Sequence, residues 1–448
     1  MSRPELLDLC RRVAGSALDG EQLEVFAARS LGTRVRAHGG AVEEFTSAES
    51  FGIGIRVVRS QRVGFASAGS LDESVVAEVL ADARDNAAFA EADEWAGVAE
   101  PDGVEAVDID LWRDSFADFP TERKIALALE LEQAVFAADP RITGIRTSAY
   151  GDAAGEAAVA TSTGVAQWSR ATSCSLSVLA MATDGEGTQT GSGLSVGRAP
   201  VELDVSEAAA DAVERATSLL GASKISSRRI PLILEPRMAS TILGIIAGTL
   251  TGSPVVKGRS PFAGREGEVI ASPLLTLVDD PTDHRSLGAD SHDGEGLATR
   301  RNVLIDGGVL RGFLLDTYTG RRLGRGSTGS AVRGSRSAPH PGVQALSAEP
   351  GEGDLASFVA AHEGALVVRS LTGLHSGVNA VSGDFSVGAE GLLVVGGEAA
   401  RPVREVTVAS TLQRLLLDIT AVGSDLEWLP SGSGMPSVVI GEVALSGS

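Results

Sequence analysis

The spacing of apolar positions changes period along the chain and divides it into three units. Residues 4–14 carry a helical pattern, and over 35–66 the signal turns to strands. Within it, Phe51-Gly52-Ile53-Gly54-Ile55-Arg56-Val57-Val58 and Arg62-Val63-Gly64-Phe65-Ala66 flank the polar Arg59-Ser60-Gln61, which predicts a hairpin. A helix follows near 73–90 with Val75, Val76, Val79 and Leu80 on one side. Residues 92–119 are acidic and irregular, punctuated by Pro101 and Pro120.

The second unit opens with a helix over 121–138, stopped at Asp139-Pro140. Strands are expected near 142–150, 156–161, 165–170 and 173–182, then a Gly/Ser/Thr loop over 183–197. Asp204-Val205-Ser206-Glu207 reads as a capping box opening a helix that runs to Leu220, with Gly221 as a left-handed cap. Residues 223–229 read as a short exposed linker. The third unit begins with the buried-strand pattern Ile230-Pro231-Leu232-Ile233-Leu234. Pro236 then opens a helix whose apolar face is Met238, Ile242, Ile245, Ile246 and Leu250. Beyond it come short strands and glycine turns, of which Val303-Leu304-Ile305, Asp306-Gly307-Gly308, Val309-Leu310 is the clearest. Short helices are expected near 355–361 and 412–420. Strands and helices cluster instead of alternating, so the class is α+β, with mixed and antiparallel sheets and packed helices. The expected units are 1–110, 111–228 and 229–448.

Composition narrows the function. The chain has 448 residues, 54 of them glycine, and a formal net charge of −21. So acidic a surface repels phosphate backbones and anionic lipids, which argues against direct nucleic-acid or membrane partners. The start, Met1-Ser2-Arg3-Pro4-Glu5, lacks the apolar run of a signal peptide, and the uncharged stretch over 238–256 is broken by Gly, Ser, Thr and Pro. Only Cys10 and Cys174 are present, which leaves room for one disulfide but fits a reducing, cytoplasmic setting better.

Candidate chemistry is sparse. The histidines are His38, His284, His292, His340, His362 and His375, and none forms an HExxH or HExxxH pair. His362-Glu363 begins such a motif without a second histidine and reads as a solvated helix end. His284 and His292 flank an acidic loop that either holds a metal or is simply solvated. Gly193-Leu194-Ser195-Val196-Gly197 matches GxSxG, but no helix follows directly, as a nucleophile elbow requires. Cys174 reads as a small buried residue. The run Gly324-Arg325-Gly326-Ser327-Thr328-Gly329 lacks the spacing and lysine of a phosphate loop and reads as a turn. Arg311, Arg321, Arg322, Arg325, Arg333 and Arg336 form a basic cluster with two readings: internal salt bridges, or a patch for an acidic partner or substrate carboxylate.

A set of segments in fixed order carries a resemblance. These are Gly267-Glu268-Val269-Ile270-Ala271-Ser272, Leu277-Val278-Asp279-Asp280-Pro281, Asp293-Gly294-Glu295-Gly296, the hairpin at 302–310, Tyr318-Thr319-Gly320-Arg321-Arg322-Leu323-Gly324, Val381-Ser382-Gly383-Asp384-Phe385-Ser386-Val387-Gly388-Ala389 and Pro402-Val403-Arg404-Glu405-Val406-Thr407-Val408. Together they resemble the TldD/PmbA family, the modulators of DNA gyrase. The Gly52-Ile53-Gly54-Ile55-Arg56 hairpin is similar to the family's first domain, and the middle unit matches more weakly.

The resemblance implies a peptidase of two related chains. The TldD chain carries HExxxH on the helix that opens the third unit and a cysteine near its end, and these bind zinc. The TldE chain lacks them. Here the corresponding helix holds Gly244, Ile245 and Thr249 at the two histidine positions and the glutamate position, with an uncertainty of one residue in register. No histidine lies between His38 and His284, and no cysteine comes after Cys174. The resemblance therefore implies a TldE-like subunit with no catalytic residue, metal ligand or cofactor of its own. Zinc is expected in an HExxxH-bearing TldD-like partner, in a heterodimer that acts on a peptide or peptide-like amide. Arg321, Arg322, Ser382, Asp384 and Phe385 are candidates for a substrate or partner groove. Two alternatives stand beside it: a metal-independent amide-processing enzyme of natural-product biosynthesis, with a site around Asp384, Arg321 and Arg322, and a homodimeric binding protein.

Overall fold

The computed structural model describes residues 3–185 and 187–447. Its first half is α1 (Arg3–Ala14), β1 (Glu21–His38), β2 (Ala41–Arg59), β3 (Arg62–Ala68), α2 (Glu73–Phe89), α3 (Thr121–Ala138), β4 (Ile142–Thr161), β5 (Ala166–Thr183), β6 (Thr188–Gly197) and α4 (Val205–Ser218). The strands form one antiparallel sheet in the order β3-β2-β1-β4-β5-β6. The β1–β4 ladder, from Glu24 opposite Thr161 to Ala37 opposite Ser148, joins residues 1–110 to residues 111–228 in a single sheet. Both tight hairpins turn on left-handed pairs: Gly39 and Gly40 (φ 62° and 76°), then Ser60 and Gln61 (φ 51° and 62°). That is the turn whose twist suits a two-residue hairpin.

Alternate residues of a strand point to opposite faces. Leu23, Val25, Ala27, Val35 and Ala37 of β1 are buried against the helices: the first three share a core with α1 and α2, the last two with α3 and α4. Glu24 and Phe26 lie on the other face, toward the third unit.

Three strand expectations need correction. The first strand begins at Glu21, not near 35; Leu23, Val25 and Ala27 alternate with Glu24 and Phe26 and form one buried face. The four pieces expected over 142–182 are two long strands, since Gly151–Gly155 is held by ladders to β1 and β5 on both sides. Residues 188–197 are strand β6, not loop. A Cβ at Gly191 would stand 2.2 Å from the Ala212 carbonyl, and one at Gly193 1.8 Å from that of Ala208. The glycines therefore let α4 lie directly on the strand. The capping box also differs: the Asp204 carboxylate accepts from the Ser206 and Glu207 amides, but its own amide donates to Ser195 Oγ (2.9 Å), not to Glu207.

The third unit runs β7 (Arg228–Leu234), α5 (Pro236–Thr249), α6 (Gly252–Val256), β8 (Leu277–Asp279), β9 (Asn302–Asp306), β10 (Val309–Leu310), α7 (Thr317–Arg322), β11 (Ala331–Val332), β12 (His340–Pro341), β13 (Leu346–Ala348), α8 (Leu355–Ala361), β14 (Leu366–Thr372), α9 (Leu374–Gly377), β15 (Asp384–Val395), β16 (Glu398–Thr411), α10 (Leu412–Leu417), β17 (Ile419–Val422), β18 (Glu427–Trp428), β19 (Gly434–Met435) and β20 (Val438–Ser446). The helix expected over 412–420 thus stops at Leu417. One sheet has the order β16-β15-β14-β7-β20-β17, and a further β16–β20 pairing closes it on itself. A second has the order β10-β9-β8-β13-β19-β18. Between them lies one continuous core, into which α5 buries Ala239, Ile242, Leu243, Ile246 and Ala247. Among the described residues no helix is long and apolar enough to cross a membrane.

A buried charge cluster fastens the first sheet to the third unit. Arg56 of β2 donates to Glu24 of β1 (2.5 Å) and to Glu295 (3.3 Å). Arg333 donates to the second Glu24 oxygen and lies over the Phe26 ring, 4.8 Å from its centroid. Glu295 also accepts from the Thr317 amide (2.8 Å) and hydroxyl (2.6 Å). Burial by itself would raise the Glu24 pKa, but the attraction of Arg56 and Arg333 outweighs it and holds the carboxyl below 4.5. Glu295 moves up: burial dominates the pull of Arg56, and Glu24 and Asp316 repel it.

Glu24→Gln leaves two buried guanidiniums short of a counter-charge and is expected to cost about 3–5 kcal/mol, measured by urea unfolding at pH 7. Because the folded pKa of Glu24 is lowered, that difference is present above pH 4.5 and shrinks as the pH falls through the folded value. Gly193→Ala is expected to cost about 1–3 kcal/mol by forcing α4 off the strand; an unchanged unfolding midpoint would contradict the close approach.

Candidate functional site

Helix α5 begins with Pro236 in its first turn, and its inner face is fixed by the core. Its outer face carries Arg237, Ser240, Thr241, Gly244 and Gly248. A Cβ at Gly244 or Gly248 would meet no heavy atom within 4 Å, so this face is open. Ile245 is half-buried against the core. Thr249 is 2% exposed, and its hydroxyl donates to the Ile246 carbonyl (2.6 Å). Strand β19 packs against α5, and the loop before it places Leu429, Pro430 and Ser431 beside the helix. The two chain segments that should bring zinc donors together are therefore adjacent.

The donors do not fit zinc. Glycine offers no side chain, Ile245 offers only hydrocarbon, and Thr249 faces inward with its hydroxyl engaged. Ser431 and Ser433 supply hydroxyls where a thiolate is needed. Among the described residues no three His, Cys, Asp or Glu side chains group as a metal site.

What the segments do form is a cleft of about 490 Å³. One wall is Arg237, Ser240 and Thr241 of α5 with Leu429–Ser431. The other is the large sheet, through Thr147, Ser177, Leu179, Ser192 and Leu194. Ser177 and Pro430 also line a second cavity, of about 540 Å³, so the two are contiguous along β5. The second is polar. Beneath it, on the helix face of the sheet, Asp152 pairs with Lys124 of α3 (2.6 Å) and accepts from the Tyr150 hydroxyl (2.7 Å) and the Thr33 amide (3.0 Å). Burial, then the Asp152 carboxylate, raises the Tyr150 pKa, so it stays a neutral donor.

The groove candidates lie elsewhere and in two separate places. Arg321 donates to the Val98 carbonyl (2.9 Å) and lies against Gly97, where a Cβ would stand 2.0 Å from its Nη1. Arg322 donates to the Tyr318 hydroxyl (3.2 Å), which donates to Asp93 (2.8 Å). These two arginines hold the acidic connector to the third unit. Ser382 donates to Asp384 (2.7 Å) on the exposed start of β15. Phe385 is 2% exposed and belongs to the core, because strand alternation turns it inward beside Asp384. It lines no groove. No hydrogen bond or ion pair among the described residues joins Arg321 and Arg322 to Ser382 or Asp384.

The remaining motifs are structural. Ser195 of the GxSxG run is buried in β6 and caps the approach to α4. His362 ends α8 with Nδ1 on the Phe358 carbonyl (2.8 Å). His284 is exposed, whereas His292 is half-buried and its pKa is lowered by desolvation. In the basic cluster, Arg311 pairs with Asp306 (2.8 Å), Arg325 with Glu266, and Arg333 with Glu24, which favours the salt-bridge reading for these three. Asp293, in the Asp293-Gly294-Glu295-Gly296 segment, accepts from the Glu295 (2.9 Å) and Leu297 (3.0 Å) amides and so aims Glu295 at Arg56. The residues not picked out from sequence are Glu24, Arg56 as its partner, and the polar cleft lining Ser240 and Thr241. A glutamate inside an alternating apolar strand was the available signal for Glu24.

A large antiparallel sheet carrying helices on one face, and a closed β-rich unit whose leading helix borders a cleft against the other, define a three-unit α+β chain of the metallopeptidase-like kind. Residues 23–87, 114–220 and 227–447 match, in order, family models described as PmbA/TldA metallopeptidase domain 1, central domain and C-terminal domain. The chain is 30% identical to the metalloprotease PmbA of Escherichia coli O157:H7, covering 99% of this chain and 96% of that one. It is 27% identical to a metalloprotease TldD homolog of Haemophilus influenzae, but over 54% of this chain and 53% of that one. Among solved structures, TldE from Thermococcus kodakarensis superposes with a TM-score of 0.87 at 23% identity over 95% of this chain and 97% of that one. A proposed modulator of DNA gyrase from Bacteroides thetaiotaomicron does so with a TM-score of 0.86 at 25% identity, over 100% and 98%. The chain belongs to the PmbA/TldD metallopeptidase family.

Both cysteines are reduced and buried: Cys10 Sγ contacts the Ala158 carbonyl (3.6 Å) and Cys174 Sγ that of Gly197 (3.4 Å). Burial first, and for Cys174 also Glu202 and Asp152, pushes each thiol up to about 12. Neither is expected to react with a water-soluble disulfide reagent at pH 8 in the folded chain, and both should react once it is unfolded. Prompt labelling of native Cys174 would show an accessible thiolate beside the cleft.

Proposed function

We propose that this chain is the non-catalytic, TldE-like subunit of a two-chain zinc peptidase, pairing with an HExxxH-bearing TldD-like relative and completing the cleft in which a peptide is cut. The observation that carries the reading is α5. The helix keeps its place beside the 429–431 loop, yet Gly244, Ile245 and Thr249 stand where two imidazoles and a carboxylate would be needed. Full-length similarity to a PmbA chain, against half-length similarity to a TldD chain, points the same way.

The role left to this subunit is binding. A cleft with an apolar floor and hydroxyl rims suits an extended backbone, whose amides and carbonyls find Ser177, Ser192, Ser240 and Thr241 without demanding a side-chain sequence. Zinc-activated water and the general base would come from the partner. The two buried, reduced cysteines and the acidic surface suit a cytoplasmic setting.

Reconstitution tests this. The chain alone should bind less than a tenth of an equivalent of zinc by elemental analysis and leave a fluorogenic peptide uncut. Adding the HExxxH-bearing relative from the same source should give cleavage that a chelator abolishes. Cleavage by this chain alone, unaffected by chelator, would favour the metal-independent alternative instead.

A further inference from the structure

Two arginines that make no ion pair border the cavity beyond Pro430, the buried Arg198 and the exposed Arg34. Arg198 follows β6 and is 8% exposed. Its guanidinium donates to the Ser286 carbonyl (2.9 Å), a neutral partner. Its backbone amide, not its side chain, binds Glu202 (2.7 Å). Arg34, on the β1 face turned toward the third unit, lines the same cavity. Among the described residues no carboxylate lies within ion-pair distance of either. Asp152, whose residue borders the cavity, turns its carboxylate to the helix face of the sheet, where Lys124 of α3 matches it. Burial, then the nearby Arg113, disfavours the charged form of Arg198 and outweighs the longer-range attraction of Glu202, Asp290 and Asp110. Arg56, the other buried arginine, has two carboxylate partners, whereas Arg198 has none within ion-pair distance and borders a cavity of about 540 Å³.

We propose that Arg198, assisted by Arg34, binds a carboxylate of the peptide that lies in the neighbouring cleft. This rests on the peptide-binding reading above. The peptide would run along β5 past Ser177 and Pro430, with apolar side chains against Leu179, Leu194 and Leu429, and present either its C-terminal carboxylate or an acidic side chain to the second cavity. A guanidinium fork matches a carboxylate in two parallel hydrogen bonds, so the contact would set how far the chain advances.

The test is fluorescence anisotropy on the reconstituted two-chain complex, chelated to prevent turnover. Three N-terminally labelled apolar tetrapeptides serve as probes: free C-terminus, C-terminal amide, and amide with a glutamate at the last position. The free acid should bind about tenfold or more tightly than the plain amide, the loss expected when a charged hydrogen-bond partner is removed. Arg198→Gln should erase that difference while leaving affinity for the amide unchanged, and Arg198→Lys should restore part of it. If the glutamate amide matches the free acid, an acidic side chain serves as well as the terminus; if it matches the plain amide, the site reads the C-terminus. Arg34→Gln should weaken the free acid alone, which keeps the test intact should Arg198→Gln misfold. Binding of all three peptides with equal affinity would overturn the carboxylate site and leave the peptide cleft standing. Binding of none would reject both.

Discussion

The arrangement rests on one carboxylate shared by two guanidiniums. Glu24 of β1 is fully buried, and it meets Arg56 from the adjacent strand and Arg333 from the third unit. A lone charge there would be prohibitively expensive, so each member of the cluster is tolerable only while the others are in place. The first sheet and the third unit are thereby held in one mutual position. The groove between them has one wall from each, so its width depends on that position. Arg300 with Asp102 and Arg321 with the Val98 carbonyl fasten the acidic connector around the same junction.

The groove and the emptied helix are complementary. Glycines at 244 and 248 leave the second half of α5's outer face low, beyond Arg237, Ser240 and Thr241. In a helix each such glycine costs roughly 1 kcal/mol relative to alanine, a cost the core face of α5 can carry because it packs both neighbouring sheets. Loss of metal donors therefore did not remove the helix. On the proposed reading, the wall that this helix gives the cleft, through Ser240 and Thr241, serves binding and not metal chemistry.

Much of the fold was legible because local signals and tertiary packing agree. Helix α3 falls on 121–138 as its apolar spacing and its Asp139-Pro140 stop indicate, and the Ser60-Gln61 and Gly307-Gly308 turns have the left-handed residues their hairpins demand. The failures share a cause. Glu24 lies on the other face of β1 from Leu23 and Val25 and is buried only by contacts with residues 32 and 309 positions away, which local sequence does not show. Gly191 and Gly193 look like loop residues because a helix, absent from local sequence, needs their missing side chains. For the site, the sequence located helix α5, whose Pro236 start and apolar face are local signals. It did not place the groove: Arg321, Arg322, Ser382 and Asp384 are polar residues in recognisable segments, but which wall they join is decided by topology. Phe385 illustrates the limit, one strand position away from an exposed aspartate and wholly inside.

The account stands on the claim that α5 contributes no ligand to a catalytic metal. Anomalous diffraction at the zinc absorption edge, from crystals of this chain together with whatever copurifies from its source, reads that directly. The account predicts one zinc peak per pair of chains, seated on the partner's helix across the groove, and none at α5 of this chain. A zinc peak within bonding distance of this chain's own side chains near Gly244 or Ser431 would contradict it.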